Sequence, residues 1–392
     1  MAYKQGTAQG HLAFLDELRR WVCGFGELID QSFTGAGAGT LEPTSQDPFT
    51  ITRPGTVTEV WTVECTAAYD GGTEAPAVFS VTGSVSGAHD PATAGVDYDN
   101  GFLRFVIEDD EGQRFQVGDT FTIEVEQGEF AGLGEAWEEM RWRNRAPDGF
   151  PNDWEWIGKG PGLSGDDEIF VGIRSLSSVS GDWYNLELRA FTGYVEENSF
   201  TTQPGVSPAR YVLMFQGGIP YHIVANGRRI IFGALVSTIY VHGYLGFYLP
   251  YATPNQLPYP IMVLGCWSGS ESTRWSSSST SHRFGYSHNP NRTFRHVNGE
   301  WQGGIAWPWS ESGGGADVLM RPVNDDNDYT VLPIMLYETS PSNILGELDG
   351  VYHITGFGNS TADVISINGT DYVVLQDIFR TGFNNYIALR AE

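Results

Sequence analysis

Three stretches of the chain alternate apolar and polar residues without a slip: Trp61-Thr62-Val63-Glu64-Cys65-Thr66-Ala67, Phe79-Ser80-Val81-Thr82-Gly83-Ser84-Val85 and Phe121-Thr122-Ile123-Glu124-Val125-Glu126. Period two places successive side chains on opposite faces of an extended strand, so each stretch can bury one face and wet the other. Gly, Asp and Pro bound each run, which is turn chemistry. The fold these features impose is an antiparallel sheet with one solvated face, hence a small Ig-like β-sandwich over residues 44–130.

A chain of 392 residues exceeds what one hydrophobic core usually serves. The expected class is mostly β: residues 1–43 form an N-terminal helix and Gly-rich linker, residues 44–130 the sandwich, and residues 131–392 a larger hairpin-built body. Leu12, Leu15, Leu18 and Val22 make one apolar stripe at helical spacing, which packs either on its own domain or on a neighbour. Gly35-Ala36-Gly37-Ala38-Gly39 reads as linker; no strand-first βαβ setting makes it a dinucleotide fingerprint. Glu135 to Pro151, with Trp137 and Trp142, is a connector with a helical turn or two.

In the body, Asn226-Gly227, Asn298-Gly299 and Asn368-Gly369 each sit between β-like runs, the strongest short-range signal for a hairpin. Ile230 to Leu249 is apolar enough to suggest a membrane span, but His242, three glycines and its Ile, Val and Tyr content favour consecutive buried strands. No membrane insertion is expected. Met1 to Gly10 is polar and no apolar segment with a cleavage site follows, so a secretory signal is not expected either.

With 22 basic against 48 acidic residues the formal charge is −26, and Lys4 and Lys159 are the only lysines. Such a field repels phosphate, so no nucleic-acid partner is expected unless a local patch reverses the sign. Cys23, Cys65 and Cys266 lack C-x-x-C spacing and read as small buried hydrophobes, in keeping with assembly in a reducing cytoplasm.

Candidates for chemistry are sparse. Gly265-Cys266-Trp267-Ser268-Gly269 has serine in the fourth place, where the nucleophile elbow needs the third. His282, His288 and His296 show no spacing that puts two metal ligands on one face. Acidic clusters occur at Asp97-Tyr98-Asp99, Glu108 to Glu111, Asp166 to Glu168 and Asn324 to Asp328. The last offers the alternate oxygens of half a calcium loop, without the glycine and distal glutamate of an EF-hand. A facing pair of glycosidase carboxylates can be neither located nor excluded by sequence. The expectation is no enzyme, no catalytic or metal residues and no cofactor. Ser268 to Pro308, crowded with Trp267, Trp275, Trp301, Trp307 and histidines, has the texture of a contact loop, and equally of a loop folded on its own domain.

The opening Met1-Ala2-Tyr3-Lys4-Gln5-Gly6-Thr7-Ala8 with its short helix resembles the start of tailed-bacteriophage virion proteins. So do Tyr98-Asp99-Asn100-Gly101-Phe102-Leu103 and Val117-Gly118-Asp119-Thr120-Phe121-Thr122 in the sandwich. Tyr248-Leu249-Pro250-Tyr251-Ala252-Thr253-Pro254 and the ending from Gly356-Phe357-Gly358-Asn359 through Arg380-Thr381-Gly382-Phe383-Asn384-Asn385-Tyr386 look like that group as well. The resemblance implies a virion structural subunit of the tail, baseplate or neck, assembled in the host cytoplasm. It implies partners among other virion proteins and a homo-oligomer, a ring or a trimer. The alternative is a tail-tip protein that binds or degrades host-surface glycan through the Trp267 to Trp309 stretch.

Overall fold

The computed structural model describes residues 2–162, 168–267, 269–276, 292–308, 329–337, 344–377, 382–383 and 385–391. The protein is mostly β, with antiparallel sheets and one long helix, His11–Val22, among the described residues. The chain divides into two compact units, Arg19–Trp137 and the body formed by Met1–Leu18 with Glu138–Glu392.

The first unit is the sandwich. One sheet orders its strands Glu27–Thr34, Thr120–Glu126, Glu59–Ala67, Val78–Gly83 and Gly87–Thr93; the other orders Gly39–Glu42, Arg104–Asp109 and Tyr98–Asp99. Trp61, Val63, Cys65, Phe79, Phe121 and Ile123 face Leu41, Phe105 and Ile107 across one buried core. Each fully buried large side chain contributes roughly 1.5–3 kcal/mol by leaving water. The predicted alternation holds along the strands except at Ala67, exposed beyond a register shift, and in the second run it stops at Gly83, two residues before its expected end. Val85 lies in the following turn and is 71% exposed. The turn points its donors inward: the buried Glu59 carboxylate accepts from Val85 N and Ser86 N, both at 3.0 Å.

The Gly35–Gly39 run, read as a linker, joins two strands of this unit instead. The buried Asp119 carboxylate accepts from Ala36 N at 2.8 Å and Gly37 N at 3.0 Å, holding the run as an ordered loop. A Cβ on Gly37 would stand 2.4 Å from an Asp119 oxygen, so the glycine answers to close approach, not to flexibility.

In the body, a central sheet orders Ala2–Gln9, Gly218–Asn226, Arg229–Val236, Ile239–Phe247, Ile261–Leu264, Arg292–Arg295 and Trp301–Gln302. One face packs Val224, Ile231, Tyr244 and Met262 against Leu336, Val351, Val373, Leu375 and Ile387 of a second sheet. On the other, Phe14 of the helix meets Phe232 and Tyr221 edge-on, with centroids 5.1 and 5.4 Å apart. Ile230 to Phe247 is thus two consecutive buried strands, and no helix among the described residues is long and apolar enough to cross a membrane. The strand Ala2–Gln9 was not foreseen: it is polar, buries only its two alanines fully, and pairs with residues 218–225, far off in sequence.

The three Asn-Gly pairs take three forms. Asn368 and Gly369 both have positive φ (52° and 79°) inside the two-residue hairpin closed by Ile367 and Thr370, the expected type I′ turn. Gly299 alone is left-handed, in a three-residue loop. Asn226 instead pairs with Arg229 as the last ladder residue, and its Oδ1 accepts from Arg228 N and Arg229 N.

Candidate functional site: a charge-paired sheet and an exposed edge

The third body sheet is a meander of Glu138–Arg145, Phe150–Gly160, Ile169–Ser178, Trp183–Phe191 and Arg210–Met214. Its register places Arg143 opposite Glu155, Glu155 opposite Arg174 and Arg174 opposite Glu187. Side chains directly opposite share a face, so four strands carry a row of alternating sign. Arg143 Nε lies 2.6 Å and Arg141 Nη1 3.2 Å from Glu155 Oε1. Arg174 Nε lies 2.7 Å from Glu187 Oε2, and Arg189 Nε 2.5 Å from Glu187 Oε1. Both carboxylates are fully buried. Leaving either without its guanidinium would strand a charge in a low-dielectric interior, so the row is mutually dependent.

Residues 192–209 cover this row. Arg141 Nη2 donates to the carbonyls of Glu196 and Asn198, Arg189 Nη1 to Ser207 O at 2.7 Å, and Arg174 lies over the Phe200 ring at 5.0 Å. Beneath the cover, Ile157, Phe170, Phe191 and Phe200 form a small apolar cluster. A cleft of about 550 Å³ opens beside it, with Arg141, Arg143, Asp148, Tyr194, Glu196 and Glu197 in its wall. Its guanidinium groups already face carboxylates or carbonyls, so the wall is self-neutralising and offers no net anion trap. Arg210 differs: among the described residues it forms no ion pair, and burial, with Arg189 nearby, lowers its pKa to about 10.

The second feature is the edge strand Glu27–Thr34 of the sandwich unit. Seven of its eight residues are exposed, Leu28 and Ile29 at 45% and 49%. Among the described residues it pairs on one side only, with Thr120–Glu126, and the register slips between Leu28 and Asp30. A strand edge presents backbone donors and acceptors to whatever docks beside it.

The residues singled out in the sequence are dispersed. Cys23, Cys65 and Cys266 are buried and in no disulfide among the described residues, and burial pushes the Cys266 thiol up to about 12, far from a nucleophile's range. Trp267 Nε1 donates to Ser270 O and Trp301 Nε1 to Gly205 O, so both indoles are held within the body. Asp99 pairs with Arg104 at 2.8 Å, Asp109 with Arg114 at 3.0 Å, and Glu168 with Lys159 at 3.0 Å, which makes structural pairs of three acidic clusters. Ser268, His282, His288, Trp309, Asp166, Asp167 and Asn324 to Asp328 lie outside the described residues. Among the described residues no group of three or more His, Cys, Asp or Glu side chains is placed to hold a metal. The charge row was missed, although Arg141-x-Arg143-x-Arg145 at strand spacing was its visible signal.

Fold and site together define a mostly β protein of antiparallel sheets, made of a sandwich unit and a larger layered body. No protein-family model matches the chain, and no curated protein does. A crystal structure of Xanthomonas campestris FlgL is 18% identical over 34% of this chain and 33% of that one, with a TM-score of 0.14, too low to bear on fold or function.

Proposed function

We propose that the chain is a structural subunit of a bacteriophage tail, in the tail, baseplate or neck, acting by self-association and by docking to other virion proteins. The proposal rests on the resemblance of sequence phrases spread over most of the chain. The structural observation that supports it is the exposed edge Glu27–Thr34, with two large aliphatic side chains, Leu28 and Ile29, open to solvent. Aliphatic side chains on an open strand edge favour contact with another protein. Symmetric assemblies are built from such surfaces and require no pocket chemistry.

Light scattering and negative-stain microscopy of the purified chain, alone and with co-expressed virion neighbours, test this reading. The expected outcome is a closed oligomer or a complex with a neighbour, weakened in a Leu28→Glu/Ile29→Glu double variant. A chain that stays a 43.1 kDa monomer under all these conditions and is missing from purified particles contradicts it.

A further inference from the structure

The edge strand Glu27–Thr34 carries its charges and its apolar side chains on opposite faces. Its register sets Leu28 opposite Val125, Gln31 opposite Ile123 and Phe33 opposite Phe121, and all three partners are buried in the sandwich core. Side chains directly opposite share a face, so Leu28, Gln31 and Phe33 belong to the inward side. Leu28 is nonetheless 45% exposed, because no further strand covers it. Ile29 is the extra residue where the register slips, and it stands open beside Leu28. Natural edges are commonly blunted by an inward charge, a proline or a covering segment. This strand has neither inward charge nor proline, and among the described residues no strand pairs with its outer side.

The outward side is acidic. Glu27 stands opposite Glu126 and Asp30 opposite Glu124. Like charges directly opposite repel. Elsewhere this chain answers a cross-strand carboxylate with a base: Glu138 faces Lys159, Glu155 faces Arg143 and Arg174, and Asp99 faces Arg104. Asp30, Glu124 and Glu126 form no ion pair among the described residues. Two features therefore coincide on one strand, an open row of backbone donors and acceptors and a patch of carboxylates that no base answers.

We infer that this edge is completed by an extended basic segment of a second protein, added as one more strand with Lys or Arg on the outward side and aliphatic residues on the inward side. In that place an outward base stands against Glu27 or Asp30, and an inward aliphatic side chain covers Leu28. A second copy of the same edge is the wrong occupant, because it brings further carboxylates to the same patch. The inference rests on the reading of this edge as a docking surface and adds the chemistry of what docks.

Fluorescence anisotropy of the full chain with labelled peptides tests it, each peptide matching the length of the strand. One alternates lysine and valine, one alternates serine and valine, and the third is the lysine–valine peptide N-methylated at every residue, equal in charge but without backbone donors. The lysine–valine peptide should bind at least tenfold more tightly than either of the others. Segment-resolved hydrogen exchange should show it protecting Glu27–Thr34. The double variant Asp30→Asn/Glu124→Gln, at two exposed positions, should cut its affinity at least tenfold without lowering the thermal melt. The inference is overturned if the lysine and serine peptides bind equally, if the N-methylated peptide binds as tightly as its parent, or if protection falls elsewhere than on Glu27–Thr34. Full affinity in the charge variant overturns it as well, and so does an edge protected by rising protein concentration alone, which marks a second copy as the occupant. A chain that is missing from particles fails the tail proposal and leaves these peptide results in place, so the two failures are distinguishable.

Discussion

In the sandwich unit the strand Glu59–Ala67 alternates buried and exposed residues almost to its end, whereas in the body Arg229–Val236 and Ile239–Phe247 bury nearly every side chain. The difference is one of covered faces. A sheet with one wet face writes its orientation into sequence as period two; a sheet covered on both sides has no polar face to alternate with. The fully covered region is also where most of the buried charge resides: Glu155, Glu187 and Arg229 are all completely buried in the body. The sandwich holds fewer such groups: Arg19 pairs with Asp47 at 2.7 Å, and the buried Glu59 and Asp119 carboxylates accept from backbone N–H groups. Polar groups in a twice-covered sheet must find partners inside the protein, so the body's stability depends on pairing where the sandwich's depends on apolar packing.

The sharpest break of that contrast is Glu187→Ala. It removes the partner of Arg174 and Arg189 and should destabilise the body by roughly 3–5 kcal/mol, the usual cost of a stranded buried charge. Hydrogen exchange resolved by segment should show protection lost across 138–214 and kept in the strand Thr120–Glu126.

Ile230→Ala and Ile231→Ala, adjacent residues that are both fully buried, should each cost roughly 2–5 kcal/mol in chemical denaturation. Phe121→Ala and Thr122→Ala, equally adjacent, should differ strongly, because Phe121 points into the core and Thr122 to solvent. Equal costs within the sandwich pair, or alternating costs within the body pair, would erase the distinction.

Acid should act on the body through its buried histidines. Burial lowers His242 and His353 to about 4, as it does His11. Their folded pKa lies below the unfolded value, so the unfolded chain takes up more protons and stability falls as pH drops from 6.5 towards 4. Going from pH 7 to pH 5 should cost about 2 kcal/mol per histidine, read from urea midpoints at the two values. The smallest effect is Thr122→Ala itself, expected within about 0.5 kcal/mol of no change.

Much of the sandwich was legible because its alternation is local and its outer face wet. The hairpin at Asn368-Gly369 was equally legible, since two left-handed residues in sequence admit few other turns. Asn226-Gly227 was less so: the same dipeptide lies one residue off the turn centre, and an Asx hydrogen bond replaces the left-handed pair. The edge strand Ala2–Gln9 was hidden by polarity and by a partner more than two hundred residues away. The charge row was hidden because Glu155 and Glu187 look like surface residues until the register sets each against arginine.

The most direct test of the structural-subunit proposal is to locate the chain in intact tailed particles that carry its gene, by a medium-resolution electron-microscopy map with specific labelling. The proposal predicts density for multiple symmetry-related copies in the tail, baseplate or neck, with the strand Glu27–Thr34 at a contact between subunits. Particles complete without the chain, or single copies touching nothing through that edge, would contradict it.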